Sequence, residues 1–123
     1  MNRPTGIIRT LPNLYAGRNN VAHKRMLKSM ELLAADKIEA IFIAMAQQPK
    51  HDVLHLYLLI EGRIICRMNI AGYLDGTQAS LKCWDDVSRQ PKVWAVCTAP
   101  ISYPPAPIAR RGFQGFRYTE DLW

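Results

Sequence analysis

A chain of 123 residues that is 49% hydrophobic and 21% charged has the size of one domain and enough apolar material for a core. Its longest apolar runs, residues 40–46 and 56–60, fall far short of the roughly 20 residues of a transmembrane helix, and no signal-peptide core opens the chain. Cys66, Cys83 and Cys97 are an odd count without a C-x-x-C pair, which speaks against a disulfide framework and suits buried thiols in the cytoplasm.

The net charge of +6 is unevenly spread. Residues 1–37 hold seven Lys or Arg against two acidic residues, residues 38–100 hold six of each, and residues 101–123 hold three against two. An excess concentrated in one segment suits a polyanionic partner, because each contacted phosphate releases counterions. The bland alternative is that the charge only maintains solubility.

Residues 1–18 read as irregular, since Pro4, Gly6, Pro12 and Gly17 interrupt any period. Asn19 and Asn20 are N-cap candidates for a helix to about Ala35, with Ala22, Met26, Met30 and Leu33 on its apolar face. In residues 38–46 Ile38, Ile41, Phe42 and Met45 would continue a helical stripe, yet Ile-Phe-Ile favours a buried strand, which is the preferred reading, and residues 47–52 form a loop. Strands are expected at 53–60, 63–74, 77–84 and 92–98. Glu61-Gly62 and Asp75-Gly76 would form two-residue turns, of which Asp-Gly is the stronger signal. The expected fold is α+β, an N-terminal helix followed by an antiparallel meander of about five strands. Residues 1–99 would be the domain and residues 100–123 a Pro-rich, aromatic tail, partly polyproline II at Pro100, Pro104, Pro105 and Pro107.

If Asp75-Gly76 is a two-residue loop, Leu74 pairs with Thr77, Ile70 with Leu81 and Met68 with Cys83. Ile64, Cys66, Met68, Ile70 and Leu74 then share the core face. Arg63, Arg67, Asn69, Tyr73, Lys82 and Trp84 share the other, with Arg67 opposite Trp84 for a cation–π stack. Cations interleaved with rings suit single-stranded nucleic acid, which offers phosphates and unstacked bases at about 1–3 kcal/mol per stacked base. A polar outer face on a half-exposed sheet is the ordinary alternative. Leu54, Leu56, Leu58 and Ile60 would put an apolar strip on the same face, needing a helix, the tail or another subunit as cover.

The tail adds Arg110, Arg111, Phe113, Phe116, Arg117 and Tyr118, a mixture of cations, rings and glycine that also suits nucleic acid. Its residues Glu120-Asp121-Leu122-Trp123 resemble the acidic, aromatic-ended tip of single-stranded-DNA-binding proteins, which recruits replication partners in that family. The resemblance extends over these four residues and no further.

Chemistry-bearing motifs are sparse. His51 and His55 are about 13 Å apart on a strand, Cys66 near His55 is more simply a buried thiol, and Asp85-Asp86 is turn chemistry. No phosphate loop, dinucleotide fingerprint or zinc spacing occurs. The sequence therefore points to a non-enzymatic binder of single-stranded DNA or RNA, without cofactor or metal, such as a phage or mobile element encodes. Arg63, Arg67, Lys82 and Arg110 would hold phosphates while Tyr73, Trp84 and Phe113 stack on bases. The alternative is a protein-interaction module (inhibitor, adaptor or virion component) using the tail and the apolar strip. A homo-oligomer or a protein partner held through the tail is expected in either case.

Overall fold

The structure, a computed structural model, describes residues 3–11, 21–77 and 92–123. Those residues form β1 (Gly6–Thr10), α1 (Val21–Ala34), β2 (Ile41–Met45), β3 (His55–Ile60), β4 (Arg63–Asp75), β5 (Val93–Ser102) and β6 (Phe116–Thr119). The six strands make one sheet in the order β2-β5-β4-β3-β1-β6. The β1–β3 pair is parallel and the others are antiparallel. The expected helix-then-meander fold is therefore corrected. The protein is mostly β, its helix lies between the first two strands, and its sheet is mixed.

β1 arises where the sequence suggested irregular chain. The β-branched pair Ile7-Ile8 favours a strand, and Gly6 is a packing requirement rather than a breaker. A Cβ there would lie 2.9 Å from the His55 carbonyl oxygen and 2.9 Å from Tyr57 Cε2. The helix matches its expected span closely, and its N-cap candidates Asn19 and Asn20 lie outside the described residues. It ends in a Schellman motif: Lys37 N–H donates to Leu32 O, Asp36 N–H donates to Leu33 O, and Asp36 takes a φ of 59°. Its face of Met26, Met30 and Leu33 packs on the inner side of the sheet. No helix among the described residues is long and apolar enough to cross a membrane.

The hairpin grammar resolved unexpectedly. Glu61-Gly62, the weaker signal, is the true two-residue turn, with φ of 50° and 79° and Ile60 paired to Arg63. Asp75-Gly76 closes no such hairpin. Asp75 Oδ1 accepts from Thr77 N–H at 2.8 Å, Gly76 N–H donates to Lys92 O, and Leu74 pairs with Trp94 rather than Thr77. The expected partners Leu81 and Cys83 lie outside the described residues; Ile70 pairs with Cys97. β5 also runs four residues beyond its expected end, through Pro100. Between the Asn69–Thr98 and Arg67–Ser102 pairs the ladder is irregular, so a residue without an N–H leaves no ladder bond unmade.

The sheet curls until its distant members meet. Arg9 of β1 donates through Nε and Nη2 to Ala44 O of β2, 3.4 Å in each case, and through Nη1 to Gly115 O at 3.3 Å. Tyr118 Oη of β6 accepts from Lys50 N–H at 2.7 Å. Side chains rather than a backbone ladder thus pin the curl among the described residues. The inner side carries the main core, with Ile7, Leu56, Leu58, Cys66, Met68 and Cys97 at its centre. Leu56, Leu58 and Ile60 belong there, not on the Arg67 face, because they pair with Met68, Cys66 and Arg63, and Leu54 lies before β3 and is exposed. Replacing Gly6 by Ala should cost about 1–3 kcal/mol through overpacking against β3 backbone, measured as a lower midpoint in urea with unchanged slope.

Candidate functional site

Two bulges in β4 decide which side chains face outward. Partner pairing jumps from Leu58–Cys66 to Leu59–Ile64, leaving Ile65 as the extra residue, and from Ile70–Cys97 to Gly72–Val96, leaving Ala71 as another. Each insertion reverses the alternation. Ile64 therefore faces outward with Tyr57 and Leu59, while Tyr73 faces inward and packs against the main core. The expected face containing Arg63, Arg67 and Tyr73 together does not exist.

The outer face has its own core of Ile8, Tyr57, Leu59 and Ile64, and residues 108–123 cover it. Ile108 O accepts from Ile64 N–H and Arg110 N–H donates to Gly62 O, so the chain first runs beside β4. It then crosses the sheet, where Phe113 packs on the outer core and its N–H meets Thr10 Oγ1 at 3.3 Å. After pairing with β1 as β6, it crosses back through Asp121, Leu122 and Trp123. Asp121 Oδ1 accepts from Thr5 Oγ1 at 2.6 Å and lies 3.2 Å from His55 Nδ1, a contact that needs the Nδ1–H tautomer. Leu122 N–H donates to Tyr57 Oη at 3.0 Å. The Trp123 indole donates to Ser102 Oγ at 2.7 Å and stands edge-to-face with Tyr57. Arg67 lies over that indole, 5.5 Å from its centroid, and donates to the Trp123 carbonyl.

The five expected site residues that lie among the described ones do not share one face. Arg67 is half-buried under Trp123, and Tyr73 is half-buried on the inner side, where its hydroxyl finds no partner among the described residues. Burial pushes the Tyr73 phenol up to about 12, with the Cys97 thiol, Tyr118 and Asp52 adding to the effect. Lys82 and Trp84 lie outside the described residues. The backbone brings Arg63 and Arg110 near each other at the end of the sheet, but Arg63 pairs with Ile60 on the inner side and Phe113 packs on the outer core. Arg63 bridges to Ala109, Arg110 and Arg111 follow, and the Arg117 guanidinium sits 4.6 Å above the Phe113 ring. The four arginines are exposed, Phe113 is half-exposed, and Gly112 and Gly115 beside the ring are exposed. No carboxylate makes a salt bridge with any of these four among the described residues. The row runs from β4 to β6, three strand spacings or about 14 Å.

The sequence did not suggest the seating of Asp121 and Trp123. The available signal was the unbroken apolar run at 56–60, which marks a strand covered on both faces. No known family model matches the chain, and no curated protein matches it.

Cys66 faces the inner core while His55 contacts Asp121, so the two are not juxtaposed as nucleophile and base. Burial pushes the Cys66 thiol up to about 12, and burial also raises that of Cys97. In a Cys83→Ser chain at about pH 8, a thiol reagent should therefore find no reactive group until denaturant is added.

Asp121 is held below its ordinary value of 3.8, first by the Thr5 hydroxyl, against a desolvation effect that ranks next, and then by His55 and the Arg67 charge. A carboxyl that is more acidic when folded stabilises docking above its ordinary value, and that contribution disappears as pH falls through the folded value. The Trp123 indole N–H resonance should consequently move toward its free position in acid, below about pH 4. Asp121→Asn should remove this step.

Proposed function

We propose that the chain is a non-enzymatic, cytoplasmic binder of single-stranded nucleic acid that works through the ridge at the Glu61-Gly62 end of the sheet. Arg63, Arg110, Arg111 and Arg117 contact phosphates, and an unpaired base stacks on Phe113 once the Arg117 guanidinium swings off its ring to a phosphate. The observation that carries the reading is the crossing segment itself, which leads from the Arg63–Ala109 bridge through the exposed Arg110 and Arg111 to the half-exposed Phe113 and the Arg117 guanidinium over its ring. An anchored main chain presents these side chains at little further ordering cost. The ring favours single strands, since a duplex hides the base faces that stacking requires. Gly115, where a Cβ would have nothing within 4 Å, leaves room for close approach of a backbone. Arg67 and Tyr73 have no place in this interface.

Four phosphate contacts on a single strand give a logarithmic salt slope of about −0.7 per contact, so affinity should fall about fifty-fold between 50 and 200 mM salt. Fluorescence anisotropy with a labelled oligothymidylate measures this. Arg110→Ala with Arg111→Ala should reduce the fall to about sevenfold and weaken binding at low salt. RNA and duplex DNA of equal length serve as competitors. Undetectable binding at 50 mM salt, or a double variant indistinguishable from the parent chain, would remove the proposal.

A further inference from the structure

The groove across β3, β4 and β5 has a different chemistry from the ridge and is already occupied. Five groups converge on residues 121–123: Thr5 Oγ1 and His55 Nδ1 at a carboxylate, Tyr57 Oη at a backbone N–H, and Ser102 Oγ and the Arg67 guanidinium at an indole. Three successive residues are thus read at three distinct positions. Each contact involves a different side chain, and those side chains come from three strands and the segment before β1.

The seated segment makes no backbone–backbone hydrogen bond among the described residues beyond Thr119, whose carbonyl accepts from Thr5 N–H. Its departure would leave the β1–β6 ladder intact. Asp121 is largely exposed, and Leu122 and Trp123 are only half-buried. Local release of such a segment requires far less free energy than global unfolding. An attached segment also acts at an effective concentration of about millimolar, so a free competitor of equal chemistry meets a strong but finite rival.

We propose that this groove is a peptide-recognition site, specific for an Asp–hydrophobic–Trp segment of a partner protein, and that residues 121–123 hold it in the unliganded chain. The occupant class follows from what is seated: a carboxylate two residues before an indole, with a free N–H between them. Among the described residues the groove contacts residues 121–123 through one Lys or Arg, Arg67, whereas the ridge offers four, so a polynucleotide prefers the ridge. The proposal is independent of nucleic-acid binding at the ridge.

The test uses the full chain with Asp121→Ala and Trp123→Ala, which empties the groove, and a fluorescein-labelled peptide of residues 117–123. The emptied chain should bind the peptide at least tenfold more tightly than the parent chain. Adding Arg67→Ala should abolish the gain, and a peptide with Ala in place of Trp should not bind. Should the emptied chain fold poorly, the parent chain labelled with ¹⁵N serves instead: millimolar unlabelled peptide should shift the Trp123 indole N–H toward its free position. An emptied chain without affinity for the peptide, and a parent indole signal unmoved by it, would overturn the proposal. So would an emptied chain that gains affinity for oligothymidylate but none for peptide. Oligonucleotide binding by the Arg110→Ala, Arg111→Ala chain reports on the ridge separately.

Discussion

Tyr57 lies on the outer face of the sheet and is fully buried, which is possible only because residues 108–123 lie across it. β3 is apolar on both faces, with Leu56 and Leu58 in the main core and Tyr57 and Leu59 under the returning chain. Covering four outer side chains, Ile8, Tyr57, Leu59 and Ile64, is worth about 1.5–3 kcal/mol for each apolar group removed from water. The marginal stability of a domain makes such a contribution large. One helix covers one side of a curled sheet, and the other side needs its own layer. The last sixteen residues supply that layer without a second helix, crossing the sheet once on each side of β6.

The same layer explains why charge composition alone did not locate a surface. The sequence concentrates its excess cations in residues 1–37, yet Arg9 there spends its guanidinium on Ala44, Thr10 and Gly115 carbonyls. Arg67, central to the expected platform, has the Trp123 ring over it. An Arg–indole contact was a sound expectation in kind, because both groups suit a sheet face. The indole in contact with Arg67 lies 56 residues away in sequence, and no local periodicity reports such a distance.

Much of the fold was legible where the signal was local. The helix from residue 21, the 53–60 and 63–74 strands, and the apolar set Met26, Met30 and Leu33 all follow from spacing that short-range sterics enforce. What failed was parity. Ile65 and Ala71 are unremarkable residues in a strand, and a bulge depends on how the partner strand curves, not on the bulged residue's own identity. Reading β4 with one unbroken alternation placed Ile64 inside and Tyr73 outside, and each bulge inverted one of those assignments. Turn chemistry misled in a related way. Asp75-Gly76 has the better intrinsic preference for a tight hairpin, but Leu74 takes Trp94 as its partner, and pairing outweighs local propensity. Gly6 and Pro100 looked like breakers because their spatial neighbours were not visible: one sits against β3 backbone, the other at a ladder irregularity.

The candidate ridge is a by-product of that covering layer, and this bears on how specific it can be. Phe113 turns inward to the outer core and fixes the crossing, while Arg110 and Arg111 stay exposed. The main chain is tied down on both sides, by Arg110 N–H to Gly62 O and by Phe113 N–H to Thr10 Oγ1. Long cationic side chains on a fixed track can follow a phosphate backbone, but they carry no rigid pattern of donors for base edges. Phosphate contacts position a ligand, and base contacts specify it. On the proposed reading, such a ridge would recognise polymer class rather than sequence. The groove that holds Trp123 differs from the ridge in chemistry, since it meets a carboxylate, a backbone N–H and an indole with three separate side chains rather than with a row of cations.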